Sequence, residues 1–458
     1  MARIAIVGGG YSGAISAYWL LQSMPAGTRI SIFEPGEDLG RGAAYADGPD
    51  HVLLNVPANY LSPMPGDLEH FFRWVMRNKA QAAQTFREAD GAYFVPRAWF
   101  GTYMRDLLRE AVATRLGAVD LVHIRRPVTA LRTGSPGVTL ACGALELVFD
   151  AVVLAIGTAP PRPLSTAGSL PVIQSAWQLA AQPRLPRDAH IVIVGAGLTM
   201  ADTVAELWHR DHRGPIATVS RHGLMPHRAA GLLADYAAPE EPIARTARAQ
   251  MQQVRRWAKV AANGASRDWR PVVDHIRRNA PTFWRAMPAH EQARFRRHVR
   301  SYWEIHRYPM PPATHRIVRS LLENGRLVHV KARALEVAGA GLRVSHHGCT
   351  WIIPADVVIN ASGPDPSFAT SPAGGLPSLL QSLGLDAAAA SRRGIDISDN
   401  GEVLALPAEL ATRVWCLGYL ARGRHGELGT VNAIGEVAQR MARALIALPA
   451  FTRPSRGF

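Results

Sequence analysis

The chain has 458 residues, of which 48% are hydrophobic and 19% charged, so it can bury several cores and its composition excludes an intrinsically disordered chain. Its formal net charge is +15, but only three of the 51 basic residues are lysines, and the arginines are scattered among Ala, Gly and Pro. A solvated basic surface explains this charge most simply, ahead of pockets for anionic ligands and of nucleic-acid binding, for which no recognition motif is present. Because no apolar run approaches the roughly 20 residues of a spanning helix, we expect a cytoplasmic protein that binds neither membrane nor nucleic acid.

The first informative stretch predicts a strand, a glycine turn and a helix. The apolar residues Ile4–Val7 run into Gly8-Gly9-Gly10-Tyr11-Ser12-Gly13, and an apolar stretch follows as far as Leu21. Gly8 permits a tight turn, Gly10 lets the backbone approach a pyrophosphate, and Gly13 lets the helix pack closely on the strand. Glu34 ends the next apolar segment, at about the 20-residue offset expected of a carboxylate that binds a ribose hydroxyl. This pattern predicts a dinucleotide site that suits FAD.

A second copy of the pattern follows later in the chain. The strand candidate Ile191–Val194 leads into Gly195, Gly197, Leu198 and Thr199, with Ala201 in place of the third glycine. The next strand candidate, Ile216–Ser220, ends in Arg221, which lies 26 residues after Gly195 just as Glu34 lies 26 residues after Gly8. A carboxylate repels a 2′-phosphate, whereas an arginine binds it. The second site therefore favours NADPH, with NADH as the alternative if Arg221 stacks on the adenine or faces solvent.

Two further strand candidates carry the prediction of domain boundaries. Residues 150–158 and 356–364 are buried-strand patterns that end near Gly157 and Gly363, and Pro160-Pro161-Arg162-Pro163 suggests a stiff linker. In proteins with two dinucleotide domains, such strands mark where the chain leaves and re-enters the flavin domain. We therefore predict an α/β fold with two Rossmann-type domains, doubly wound in three layers. The FAD domain would span residues 1–165 and 355–458, and the NAD(P)H domain residues 170–354, with a helical insertion over 229–319.

Several longer stretches resemble a bacterial group of FAD/NAD(P)-binding proteins related to flavin-containing and N-hydroxylating monooxygenases. The stretches lie at residues 40–45, 53–58, 197–202, 220–226, 269–274, 283–288, 294–298, 303–307 and 360–364. The group includes a flavin-dependent urate hydroxylase, which would place the chain in purine metabolism. Its members often carry a Leu-Trp-Glu-rich turn near the flavin, whereas this chain has Arg424–Asn432 there, so substrate specificity need not carry over.

The resemblance implies roles for particular residues. Gly8, Gly10, Tyr11, Ser12, Gly13 and Glu34 would hold the pyrophosphate and ribose of FAD. Arg41, Gly42, Tyr45, Asn55, Val56 and Pro57 would lie along the flavin, with Asn55 among the catalytic residues, Val128 beside the adenine, and Gly157 and Gly418 at strand ends that reach the cofactor. Gly195, Gly197, Leu198, Thr199, Ser220 and Arg221 would bind the nicotinamide cofactor.

The insertion is rich in helix formers, Arg and Trp, and it has two interpretations. In the first, it is a helical cap whose tryptophans form a core and whose arginines face water. In the second, the segment from His298 to Tyr308 covers the flavin and lends His306 and Arg307 to catalysis on an anionic or polar substrate.

Three functions follow from these patterns. The first is an NAD(P)H-dependent flavin monooxygenase that uses molecular oxygen to hydroxylate a small polar nitrogenous compound, with urate as the best single substrate and the nitrogen of an amino acid or amine next. The second is a reductase that passes electrons to a quinone or partner protein, and the third a redox sensor without turnover. Cys142, Cys349 and Cys416 are far apart and form no Cys-x-x-Cys, so neither a dithiol acceptor nor a metal site is expected.

Overall fold

The structure is a computed structural model, and it describes most of the chain. The described residues are 2–115, 117–134, 137–182, 185–264, 267–365, 375–385, 394–404, 406–407, 410, 412–422 and 429–452.

Within these residues the strands are β1 Arg3–Val7, β2 Thr28–Phe33, β3 Val119–Ile124, β4 Ala130–Gly134, β5 Gly137–Cys142, β6 Leu145–Phe149, β7 Ala151–Leu154, β8 Thr166–Ala167, β9 Val172–Ile173, β10 Ile191–Val194, β11 Ile216–Ser220, β12 Leu327–Lys331, β13 Arg333–Ala338, β14 Gly341–His346, β15 Cys349–Pro354, β16 Val357–Asn360 and β17 Val414–Cys416. The α-helices are α1 Tyr11–Ser23, α2 His70–Ala83, α3 Arg97–Thr114, α4 Leu198–His209, α5 Ala247–Asn263, α6 Arg270–Arg278, α7 Ala280–Ala286, α8 Ala289–His298, α9 Arg300–Arg307, α10 Pro312–Glu323, α11 Gly375–Ser382, α12 Val431–Ile446 and α13 Pro449–Thr452. None of these helices is both long enough and apolar enough to span a membrane.

Two parallel sheets of five strands form the framework, and they share one topology. The first sheet has the order β17-β7-β1-β2-β3 and the second β9-β16-β10-β11-β12. In each sheet the strand before the glycine turn is central, and neighbouring strands of both sheets pair in parallel. Antiparallel strands intervene at the same point of both units: β4–β6 between β3 and β7, and β13–β15 between β12 and β16. The predicted α/β fold with two dinucleotide-binding units is confirmed.

The strand β16 corrects one predicted boundary. Val357–Asn360 pairs with β10 along its whole length, so it belongs to the second sheet and does not mark the return to the first. The boundary predicted at residue 355 therefore precedes the last strand of the second unit. The chain rejoins the first sheet at β17, which pairs with β7.

The helical insertion has cores of its own. Trp257, Val272, Ile276 and Phe283 form one buried cluster, and Trp284 is buried in a smaller one. The helices of this cap are α5–α9. The predicted limit at residue 319 falls inside α10, whose Val318 and Leu321 belong to the core beneath the second sheet, so α10 is the crossover helix of that unit and the cap ends before it.

Candidate dinucleotide-binding sites

The first glycine turn connects β1 to α1 with no space for side chains. Gly8 has a φ of 102° and donates its N–H to the Phe33 carbonyl at 2.9 Å, and a β-carbon on it would overlap the Ala155 carbonyl oxygen. A β-carbon on Gly13 would overlap the Gly8 carbonyl oxygen in the same way. Helix α1 begins without a side-chain cap, which leaves the N–H groups of its first turn available to an anion. This is the geometry that a pyrophosphate requires.

The carboxylate of Glu34 is held by two backbone N–H groups. Gly9 donates to Oε2 at 2.8 Å and Gly36 donates to Oε1 at 3.0 Å. These bonds fix the carboxylate at the end of β2 beside the glycine turn, where it can accept hydrogen bonds from a ribose. The residues present therefore fit the adenosine half of FAD.

The segment after Glu34 returns to the glycine turn. Gly42, with a φ of 58°, lies against Gly10, so that a β-carbon on Gly10 would stand 3.3 Å from the Gly42 Cα. Arg41 is buried and forms ion pairs with Asp47 and Asp38. The charge of Arg41 is therefore partly neutralised within the first unit.

Two predicted tyrosines face the protein interior. Tyr11 donates its hydroxyl to the Val431 carbonyl at 2.6 Å and fixes the start of α12. Tyr45 packs on Phe100 with ring centroids 4.7 Å apart, and burial raises the pKa of Tyr45 to about 12. Tyr11 can therefore offer a cofactor its backbone but not its hydroxyl.

Asn55, Val56 and Pro57 lie in a segment that is held at both ends by backbone hydrogen bonds to the residues before α3. Leu54 donates its N–H to the Val95 carbonyl at 3.0 Å, and Ala58 donates to Tyr93 at 2.8 Å. Among the described residues the Asn55 side chain has no hydrogen-bond partner, and this leaves its amide available to a ligand.

The other predicted FAD residues occupy three places around the first unit. Val128 lies half-buried between β3 and β4. Gly157 follows β7 with a φ of 68° and open space above it. Gly418 follows β17 with a φ of 85°, and a β-carbon there would stand 2.6 Å from the Ser12 hydroxyl oxygen. Gly418 and Ser12 thus bring the C-terminal strand to the start of α1.

The second glycine turn repeats the contacts of the first. Gly195 has a φ of 119° and donates its N–H to the Val219 carbonyl at 2.9 Å. A β-carbon on Gly195 would overlap the Ala361 carbonyl oxygen. Gly197 precedes α4, where Leu198 and Thr199 form the first turn without a side-chain cap. This unit therefore offers a second anion-binding helix start.

The end of β11 carries a cluster of basic groups. Arg221 is exposed, and Lys331 pairs in register with Ser220 on the neighbouring strand. The stem of Lys331 crosses the turn, because a β-carbon on Gly223 would stand 3.1 Å from its Cβ. His329 joins the strands through Thr218 at 2.7 Å and Ser220 at 3.3 Å. Sequence reasoning identified Arg221 but missed Lys331, because β12, the strand that carries it, was not predicted.

The predicted catalytic residues of the cap lie in a separate cluster. His306 donates from Nδ1 to the Tyr302 carbonyl at 2.6 Å, and its ring lies 4.6 Å from His227 and 5.1 Å from Trp269. Burial, followed by the charge of His306, lowers the pKa of His227.

The next residue, Arg307, lies towards the start of α12. It is buried and donates to the Tyr308 hydroxyl at 2.5 Å, and Tyr308 faces Gly429 just before α12. No described contact joins Asn55 to His306 or Arg307. The cap therefore reaches the start of α12, while Asn55 lies on a different segment.

Fold and site together define a protein with two dinucleotide-binding units, and residues 5–159 match the protein family described as FAD-NAD(P)-binding. No curated protein sequence matches the chain. Among solved structures, the chain is similar to the lysine monooxygenase NbtG from Nocardia farcinica, at 17% identity and a TM-score of 0.55 over 96% of this chain and 100% of that one. It is also similar to the ornithine N-hydroxylase KtzI from Kutzneria sp. 744, solved with reduced FAD, NADP⁺ and L-ornithine, at 16% identity and a TM-score of 0.56 over 96% and 98% of the two chains.

A third similar structure belongs to another kind of protein. It is the bacillithiol disulfide reductase YpdA from Staphylococcus aureus, at 13% identity and a TM-score of 0.53 over 98% and 99% of the chains. At these identities the likeness shows the fold that all three share.

Proposed function

We propose that the protein is an FAD-dependent, NAD(P)H-consuming monooxygenase that hydroxylates a small polar nitrogenous compound. The observation that carries the proposal is the duplicated unit. In each copy a glycine turn with a helix is followed by a strand that ends in a charged residue, which is Glu34 after β2 and Arg221 after β11. A glycine turn with a carboxylate suits FAD, and a glycine turn with an arginine suits NADPH. When bound, FAD would accept hydride from the nicotinamide and activate molecular oxygen.

The thiols favour oxygen over a disulfide as electron acceptor. Cys142 and Cys416 are buried, and burial raises the pKa of the Cys416 thiol to about 12 and that of Cys142 above its usual value. Neither thiol is poised as a nucleophile at neutral pH. Cys349 is exposed but stands on a different sheet from Cys142.

The residues of this chain would have distinct tasks. Glu34 and the turn Gly8–Gly13 would bind the adenosine and pyrophosphate of FAD, and the segment with Asn55 would line the flavin. Gly195–Thr199 and Arg221 would bind the nicotinamide cofactor. The cap residues His306 and Arg307 would help to exclude water from the substrate, with Arg307 acting through Tyr308, which faces Gly429 before α12.

The test is a stopped-flow and product study of the yellow holoprotein. NADPH is expected to reduce the bound flavin anaerobically. With oxygen, one compound from a panel of lysine, ornithine, other amines and urate should give a hydroxylated product by mass spectrometry, with NADPH consumed in proportion.

The variant Gly195→Ala provides the matched control, because its β-carbon would overlap the Ala361 carbonyl in the second unit only. It should keep FAD and be reduced by dithionite, yet no longer by NADPH. A protein that binds no FAD, or one that passes electrons to quinones and hydroxylates nothing, would overturn the proposal.

A further inference from the structure

One face of α4 is bound to the first unit by charged side chains. Asp202 and Glu206 are four residues apart, so they share this face. Arg97 donates from Nη2 to Asp202 Oδ2 at 3.1 Å, and His51 Nε2 lies 2.7 Å from Glu206 Oε2. The His51 ring also stacks on His209, with centroids 4.2 Å apart. Helix α4 begins at the second glycine turn, so these contacts join the candidate nicotinamide site directly to the first unit.

On the other side, Arg97, the first residue of α3, hydrogen-bonds to the segment that holds the candidate flavin-lining residues. Its backbone N–H donates to the Val52 carbonyl at 2.8 Å, and its Nη2 donates to the Leu53 carbonyl at 3.4 Å. The guanidinium also lies 5.8 Å from the Trp177 ring, which precedes the second glycine turn. A continuous series of contacts therefore runs from residues 52–57, through Arg97, to Asp202.

We propose that Arg97 and His51 are positioning residues, which hold α4 and its nicotinamide-binding turn in register with the flavin-lining segment. The inference rests on the proposed function, because hydride transfer requires the two rings to meet at a defined distance and angle, and a misplacement of about 1 Å can slow a reaction a hundredfold. Both contacts are largely shielded from water: the exposed fractions of the side chains are 16% and 20% for Arg97 and Asp202, and 18% and 10% for His51 and Glu206. Shielded pairs of this kind hold a fixed geometry that exposed pairs do not.

The first measurement is the limiting rate of flavin reduction by NADPH in the holoprotein, compared with the dissociation constant for NADPH. Arg97→Met and Asp202→Asn should each slow flavin reduction about tenfold to a hundredfold, with little change in NADPH affinity or FAD content. The double variant should lose no more than either single variant, because both changes remove the same contact. His51→Gln should retain most of the rate, since an amide can still donate to Glu206.

The matched control is Arg316→Gln. Arg316 on α10 also pairs with the first unit, through Glu88 at 3.3 Å, but its side chain is 61% exposed. This variant should leave the rate of flavin reduction unchanged.

The second measurement needs no turnover. Hydrogen–deuterium exchange of α4 and of residues 51–58 should quicken in Arg97→Met and stay as in wild type in Arg316→Gln. Unchanged reduction rates in the Arg97 and Asp202 variants, or rate losses that merely follow loss of FAD, would overturn the inference. If NAD(P)H fails to reduce the wild-type flavin, the proposed function fails, and unchanged exchange in Arg97→Met would then refute the positioning of α4 separately.

Discussion

Gly13 is the residue at which the two glycine turns differ most. A β-carbon on Gly13 would overlap the Gly8 carbonyl oxygen. The second unit carries the fully buried Met200 at this position, because Met200 follows Gly195 by five residues as Gly13 follows Gly8, and the predicted counterpart Ala201 lies one residue further on. Gly13→Ala should therefore displace α1 from β1, at a cost of roughly 1–3 kcal/mol of overpacking, and release FAD. Flavin absorbance per protein and the melting temperature measure both effects. Gly197→Ala, where nothing lies within 4 Å of the added carbon, should keep full FAD content. Full FAD content in Gly13→Ala would contradict the assignment of this turn.

Arg221 and Lys331 determine the expected preference for NADPH. A hydrogen bond to a charged group contributes about 1.5–3 kcal/mol, so Arg221→Glu should raise the KM for NADPH roughly tenfold to a hundredfold and leave that for NADH nearly unchanged. Lys331→Met should give a smaller change in the same direction. Lys259→Met, an exposed lysine of the cap, should change neither constant. Equal effects of Arg221→Glu on both nucleotides would remove the assignment to the 2′-phosphate.

Among the elements, the cap formed by α5–α9 is expected to unfold independently, while the first unit stays folded. Trp257 is 4% exposed in a cluster that shares no residue with the core of the first unit. Trp257→Ala should cost about 3–5 kcal/mol within the cap. Hydrogen exchange of residues 247–307 should quicken while the flavin spectrum stays unchanged. Tyr302→Ala removes a side chain that is 50% exposed and should alter neither. Loss of FAD in Trp257→Ala would show that the cap and the flavin unit unfold together.

Local sequence patterns specified the elements but not all of their partners. The strands β1, β2, β10 and β11 and both glycine turns were predictable, because strand periodicity and glycine requirements act within about 30 residues. The sheet to which β16 belongs was not predictable, because a short apolar strand has the same sequence pattern in either sheet. Likewise, α10 has the composition of the cap helices, and only its packing against the second core identifies it as a crossover helix.

At the scale of the whole molecule, the contacts between the two units were beyond sequence reasoning. His51 and Glu206 are 155 residues apart and Arg97 and Asp202 are 105 apart, with no periodicity to connect them. Such pairs depend on how two separately folded units dock. Asp202 illustrates the physical consequence: burial raises the pKa of its carboxyl, and Arg97 opposes that shift. The candidate cofactor turns were therefore predictable from the chain, whereas the residues that align them were not.

Buried histidines should make the stability of the whole molecule sensitive to mild acid. Burial lowers the pKa of the buried His212 and of the half-buried His329 below the ordinary value of about 6.5. Their contribution to stability is complete above that ordinary pKa. It is lost as the pH falls, because the unfolded chain takes up protons before the folded protein does.

The melting temperature should therefore drop between pH 7.5 and 5.5, and His212→Gln should reduce this drop, whereas His222→Gln, at an exposed position, should not. The net charge of +15 also increases in acid and adds repulsion, which salt screens. A drop that persists at high salt in wild type but shrinks in His212→Gln would assign it to the buried imidazole. A drop abolished by salt alone would assign it to net charge.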